Sequence, residues 1–305
     1  MRVLVTGGAG FFGSHVADAL LARGDQVVVV DDLSTGNRAN LDPRTELRVA
    51  DVSDEHALRG ALRGVAADAV VHCAARTKVV ESMEKVDLYR RVIVEGTRIT
   101  VAVAREIGAR MFVNISTGGA IYGETPTCAP ESIALDPPSN YGRFKAEAEK
   151  IVEASPTPSV TVRLANLYGP RQRADLEGGV IAIFIGCWKR GEPITLYGDG
   201  SYERDYVYVA DVVGAVVAAL GGRWRGTYNV GTGVPTSVSS LVDALSAVLG
   251  PPPGIRHAPP RPVEVQRGCL DPAKARHDGL FEARTALADG LRLTAAAEGV
   301  LDRSA

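Results

Sequence analysis

An apolar run that stops in glycine and restarts as a helix opens this chain and constrains its fold more than any other feature. Val3-Leu4-Val5-Thr6 leads into Gly7-Gly8-Ala9-Gly10-Phe11-Phe12-Gly13. The stretch 12–23 that follows sets Val16, Leu20 and Leu21 on one helical face. The alternation continues. Apolar, β-branched runs at 27–32, 46–51, 69–75, 111–117 and 160–166 are predicted strands, separated by predicted helices over 54–64, 86–107 and 140–154. Strands that are apolar throughout need cover on both faces, the condition of a parallel sheet with helices packed on each side. The expected fold class is therefore α/β, a doubly wound parallel sheet.

After Tyr168-Gly169-Pro170 the texture changes to a polar loop (171–179), an apolar helix-like segment from Val180, the run PITLYGDG and a proline-rich stretch over 251–262. With 305 residues the chain is long enough for two lobes, and the division is expected near 168: 1–168 and a smaller α+β lobe over 169–305. The apolar run 206–220 is a candidate to return to the first lobe. A formal charge of −2 argues against nucleic acid as the main partner. No apolar run approaches the roughly 20 residues of a membrane span. Cys73, Cys128, Cys187 and Cys269 stand far apart with no C-x-x-C pair, so neither a zinc site nor a disulfide framework is expected, and a reducing cytoplasm is. The five histidines are scattered and suggest no metal.

The glycine loop carries the first functional signal. Gly7, Gly10 and Gly13 permit a tight turn and let a pyrophosphate approach the backbone, while the start of the next helix offers unpaired N–H groups to the anion. Asp31 ends the second predicted strand, with Asp32 beside it. A carboxylate there accepts from both ribose hydroxyls of NAD and repels a 2′-phosphate, so the expected cofactor is NAD in a Rossmann-type domain.

Tyr141 and Lys145 open a predicted helix and share one face at i and i+4. A free phenol titrates near 10, and an adjacent ammonium lowers that value toward the working range of a proton acceptor. This pair is the expected catalytic centre.

T-G-G-x-G-F-x-G resembles the extended short-chain dehydrogenase/reductase family, in its NAD-dependent epimerase/dehydratase group. The resemblance spans nearly the whole chain and is closest to the bacterial UDP-glucose 4-epimerases. It implies a cofactor site made by Gly7, Gly10, Phe11, Phe12, Gly13, Asp31 and Asp32, with Asp51-Val52 at the adenine and Ala74-Ala75 beside the cofactor. Relatives often place Ser or Thr four residues before the tyrosine of their V-Y-G motif, where Ser116-Thr117-Gly118-Gly119-Ala120-Ile121-Tyr122-Gly123 has Gly118. The hydroxyl role is carried to Thr117, with Ser116 second. Ile93 departs from a frequent Asn. In the second half, Asn166 of R-L-A-N-L-Y-G-P matches a segment whose asparagine reaches the substrate diphosphate, Gly179-Val180 one that packs around uracil, and Arg204 of R-D-Y-V-Y-V-A-D with Arg261-Pro-Val-Glu264 offers two arginines for the pyrophosphate and a carboxylate for the nucleoside's ribose. Lys78, Arg76, Arg171 and Arg173 add positive charge near the expected site loops, Lys78 as a substrate contact. Gly268 stands where some relatives have a bulky aromatic, leaving room for an N-acetyl group.

The implied activity is inversion at C4 of a UDP-hexose by a homodimer through a 4-keto intermediate. Alternatives are an epimerase of UDP-GlcNAc or UDP-glucuronate, a decarboxylase, and a dehydratase, against which Gly119 and Ala120 stand where dehydratases carry Asp-Glu. A non-enzymatic NAD sensor is the remaining reading.

Overall fold

Successive residues of the central strands face opposite cores. Val3, Val5, Val27, Val29, Val71 and Val113 enter one buried cluster, while Leu4, Val28, Val30, Val70 and Phe112 enter the other. This two-sided burial explains why the strands read as unbroken apolar runs. The computed structural model describes residues 1–175, 179–261 and 263–301. Leu176, Glu177 and Gly178 of the polar loop and Pro262 of the Arg261–Glu264 segment lie outside the described residues.

In chain order the first half contains β1 (Arg2–Thr6), α1 (Phe11–Ala22), β2 (Gln26–Asp31), β3 (Glu46–Val49), α2 (Glu55–Ala61), β4 (Ala69–His72), α3 (Val79–Glu84) and α4 (Val86–Arg90). A π-helical turn (Arg91–Glu95) joins α4 to α5 (Gly96–Glu106), and β5 (Met111–Thr117), α6 (Asn140–Glu153) and β6 (Ser159–Leu164) follow. The second half has β7 (Asn166–Tyr168), α7 (Val180–Arg190), β8 (Ile194–Tyr197), β9 (Glu203–Tyr208), α8 (Val209–Ala219) and β10 (Gly226–Val230). It ends with β11 (Pro235–Ser237), α9 (Val238–Leu249), β12 (Ile255–Ala258), β13 (Arg267–Gly268), α10 (Ala273–His277) and α11 (Leu287–Ala297).

Seven parallel strands form the main sheet in the order β10-β6-β5-β4-β1-β2-β3. The chain winds outward from β1 in one direction, then returns to β4 and winds in the other, so the reversal falls between β1 and β4. The last strand, β10, comes from the second half, and α8 packs on α1, where the Arg23 guanidinium donates to the Val217 carbonyl at 3.1 Å. Strands β7, β9, β11 and β13 make a second, smaller sheet, and β8 pairs with β12. The predicted strand over 69–75 stops at His72, and the helix predicted over 86–107 carries the π turn in which Ile93 is buried against Tyr89, Val94, Phe144 and Ala148. Ile93 is thus a packing residue. Among the described residues no helix is long and apolar enough to cross a membrane.

The cysteines correct an expectation. Cys128 and Cys269 form a disulfide across a sequence separation of 141 residues. Spacing gives no hint of it, because tertiary pairing of Ala129 with Leu270 is what brings the two segments together. The inference of a reducing compartment from scattered cysteines falls with it. A crosslink closing a loop of that size removes about 4–5 kcal/mol of conformational freedom from the unfolded chain. Reduction, or Cys128→Ser, is therefore expected to shift the urea midpoint clearly downward; Cys128→Ser should no longer respond to reductant, while Cys73→Ser, which keeps the bond, should respond as the wild type does.

Candidate active site

The C-terminal ends of β1 and β4 open into a cavity of about 700 Å³. Gly7 has φ +67°, and a Cβ there would stand 2.7 Å from the backbone N and Cα of Ala74. A Cβ on Gly13 would stand 2.3 Å from the Gly7 carbonyl oxygen. The loop, the end of β4 and the start of α1 are thus in backbone contact. Gly10 supplies no side-chain cap, which leaves the first N–H groups of α1 for an anion. Asp31 is buried beside this cradle, accepting from the Ala9 N–H at 2.9 Å and the Leu33 N–H at 2.8 Å. Burial pushes its pKa up and those two donors oppose the shift. Asp32, Asp51, Val52, Ala74, Ala75, Phe11 and Phe12 also line the cavity. A cradle that admits no side chain, next to a fixed carboxylate, fits a dinucleotide. His72 takes no part: its Nδ1 meets the Thr6 hydroxyl at 2.7 Å and its Nε2 the Thr97 hydroxyl at 3.1 Å. Burial, with Lys145 nearby, pushes it down to about 3, so it is a neutral bridge in the core.

Strand β5 and helix α6 build the reactive wall. Ser139 caps α6 by accepting from the Gly142 N–H at 3.2 Å. Ser82 of α3 fixes the first turn, accepting from the Tyr141 N–H at 3.1 Å. A Cβ on Gly142 would stand 2.0 Å from the Ala120 carbonyl, so only glycine lets this turn reach the 118–123 loop. Tyr141 and Lys145 both line the cavity. Burial pushes the Tyr141 phenol up to about 12, and hydrogen bonding to Thr117 opposes that rise. Burial lowers the Lys145 ammonium to about 8, and it donates to the Ile115 carbonyl at 2.9 Å.

The two candidate hydroxyls have different surroundings. The Ser116 hydroxyl donates to Glu149 at 2.5 Å and is turned to the helix, so it is not the partner of Tyr141. Thr117 is. A Cβ on Gly118 would stand 2.3 Å from Leu270 Cδ2, so a side chain there would require the Leu270 side chain, one residue from the disulfide, to move.

The far end of the cavity is lined by Asn166, Gly179, Val180, Arg204, Arg261 and Glu264. Arg204 donates to Glu264 at 2.7 Å, and the Arg261 guanidinium lies 4.1 Å from the ring centroid of Tyr197. Sequence reading missed Thr195, Tyr197 and Tyr202, which also line this end. Only the aromatic in the short run ITLY offered a signal. Two expected contacts are absent from the lining. Lys78 sits at the start of α3, outside it, and a Cβ on Gly268 would stand 3.3 Å from Arg204 Cδ rather than face a sugar pocket. Arg171 and Arg173 line the cavity but are committed to Asp18 and Asp175. They hold the segment from Pro170 across the cofactor end: Pro170 O accepts from His15 at 2.9 Å, Arg171 reaches Ser14 at 3.2 Å and Arg173 reaches the Thr35 carbonyl at 3.0 Å.

A glycine cradle at the sheet reversal, opposite a tyrosine and lysine on one helix face, is the geometry of the extended short-chain dehydrogenase/reductases. The sequence model of the NAD dependent epimerase/dehydratase family matches residues 3–231, and the chain belongs to that family. It is 38% identical to a UDP-glucose 4-epimerase of Mycolicibacterium smegmatis, over 96% of this chain and 97% of that protein. Among solved structures it is similar to the UDP-glucose 4-epimerase of Thermus thermophilus in complex with NAD (TM-score 0.94, 38% identity, 99% and 100% of the two chains). It is equally similar to the Thermotoga maritima UDP-glucose 4-epimerase with UDP-glucose (TM-score 0.94, 36% identity, 98% and 99% covered).

Proposed function

We propose that this chain is a UDP-hexose 4-epimerase that interconverts UDP-glucose and UDP-galactose with NAD kept bound. The observation that carries the reading is the meeting of Thr117 with Tyr141, beside buried Lys145, in one cavity that also holds the glycine cradle and Arg204 and Arg261. NAD, when bound, supplies the acceptor and then the donor of the hydride at C4. Tyr141 takes the C4 hydroxyl proton, with Thr117 holding that hydroxyl, and returns the proton after the sugar has turned. Arg204 and Arg261 anchor the diphosphate, so binding energy is applied far from C4 and the 4-keto ring is left free to present its other face. The wall opposite Asn166 is Gly119, followed by Ala120, which offers no acid or base for dehydration.

The substrate is a UDP-sugar in this reading, and the protein works as a homodimer through the adjacent helices α4, α5 and α6. Purified protein incubated separately with UDP-glucose, UDP-GlcNAc and UDP-glucuronate is expected to show equatorial-to-axial exchange at C4 by NMR, with UDP-glucose fastest. No exchange with any of the three, in protein that retains NAD, leaves the sensor reading instead. Sedimentation of the same sample checks the dimer.

A further inference from the structure

Three successive turns of α6 are read by three successive residues of β5. Lys145 donates to the Ile115 carbonyl at 2.9 Å and Glu149 accepts from the Ser116 hydroxyl at 2.5 Å, while Thr117, the next residue of β5, supplies the hydroxyl that opposes the rise of the Tyr141 phenol. Glu149 is also gripped from β6 by Arg163, whose Nη2 and Nε donate at 2.6 and 3.0 Å. Both side chains are 8% exposed. Burying such a pair costs desolvation, and an apolar pair of similar size is often as stable or more so. Its placement one turn beyond the lysine suggests what it does.

We propose that Glu149 and Arg163 are a positioning pair that balances charge behind Lys145, holding the ammonium free for the cofactor side of the cavity and locking Ser116 so that Thr117 alone faces Tyr141. With Arg163 in place, Glu149 is neutralised and Lys145 bonds a carbonyl rather than a carboxylate. Without Arg163, Glu149 is the only anion within reach of Lys145 on this helix face and draws it away from the site. The remaining groups around the ammonium carry no charge at working pH: burial keeps His72 on β4 neutral, at about 3, and the neighbouring Cys73 thiol protonated, at about 12. Tyr141 lies on the same helix, and Ser116 faces from β5. Behind Arg163, the Tyr122 hydroxyl accepts at 2.7 Å and donates to Asn229, also at 2.7 Å. Glu131 accepts from the Asn229 N–H at 2.7 Å, two hydrogen bonds farther out.

The inference rests on Tyr141 and Lys145 being the reactive pair, and its test does not depend on turnover. Lys145 is titrated by NMR of labelled lysine in the NAD-bound protein, with Lys145→Met as the blank for assignment. Glu149→Gln keeps the shape, gives up the acceptor oxygen replaced by the amide NH2 and leaves Arg163 unbalanced, so Lys145 is expected to titrate about one pH unit lower. Arg163→Met leaves Glu149 unbalanced and moves it about one unit higher. The double variant returns it to the wild-type position. Where epimerisation is measurable, the pH profile of kcat moves in the same opposite directions while KM stays nearly constant. A titration unmoved by Glu149→Gln, or moved the same way by both single variants, overturns the proposal. If Arg163→Met fails to fold, Glu149→Gln alone decides. Absence of turnover in the wild type as well as in all variants, with the titration shifts present, refutes the epimerase reading and leaves this one standing.

Discussion

Tyr141→Phe is expected to lower kcat for C4 exchange by about a thousandfold while NAD still binds within a few-fold of wild type. The substitution removes one oxygen and keeps the ring, so the packing of α6 against β5 survives. On the proposed mechanism, what disappears is the group that exchanges a proton with the C4 hydroxyl, a contribution of about a hundredfold to ten-thousandfold in comparable acid–base steps. Burial holds the phenol at about 12 in the cofactor-free site, where it is protonated at neutral pH. Activity near neutrality thus requires positive charge from the bound nicotinamide and from Lys145 to favour the phenolate. In the wild type, kcat is accordingly expected to fall as pH drops below the effective Tyr141 value in the NAD complex. The residual rate of Tyr141→Phe should lack that limb. Rates measured by coupled assay across pH, beside calorimetric NAD titration, check both statements. Retained turnover would move the proton acceptor elsewhere.

Gly13→Ala is expected to cost roughly ten- to a hundredfold in NAD affinity and several degrees in melting temperature. The added Cβ would stand 2.3 Å from the Gly7 carbonyl and 2.7 Å from Gly8 Cα. Backbone cannot swing aside as the end of a side chain does, so α1 must lift from the loop, and overpacking of this kind costs about 1–3 kcal/mol. The lifted helix start no longer points its free N–H groups at the pyrophosphate. Gly60→Ala in α2 is the matched control. Nothing lies within 4 Å of its Cβ position, and alanine is favoured over glycine in a helix by about 1 kcal/mol, so the same chemical change should leave NAD binding intact and raise stability. Equal losses in both variants would mean that the Gly13 contact is not what shapes the cradle.

Much of the site was legible because its signals are local. The glycine loop, Asp31 at a strand end and the i, i+4 spacing of Tyr141 and Lys145 each lie within one βα unit, where backbone geometry follows from a few neighbouring residues. What the sequence left open or missed has the opposite property. Ser116 and Thr117 are adjacent and chemically alike, and only Glu149 on the facing helix decides which hydroxyl reaches the phenol. Gly268 read as room for a substituent, yet its open side is filled by Arg204 of the paired strand β9. Tyr197 and Tyr202 carry no motif and come to the cavity through the β8–β12 pair and the loop before β9.

Hydrophobic period, glycine placement and helical phase are properties of short stretches, so the parallel sheet, the tight glycine turn after β1 and the shared helix face of Tyr141 and Lys145 could be read from local pattern. Tertiary structure alone decided the Cys128–Cys269 bond, the return of β10 to the edge of the first sheet and the Glu149–Arg163 pair behind the lysine. Each of these joins elements distant along the chain, and which distant partners meet is set by the packing of whole layers rather than by any local pattern.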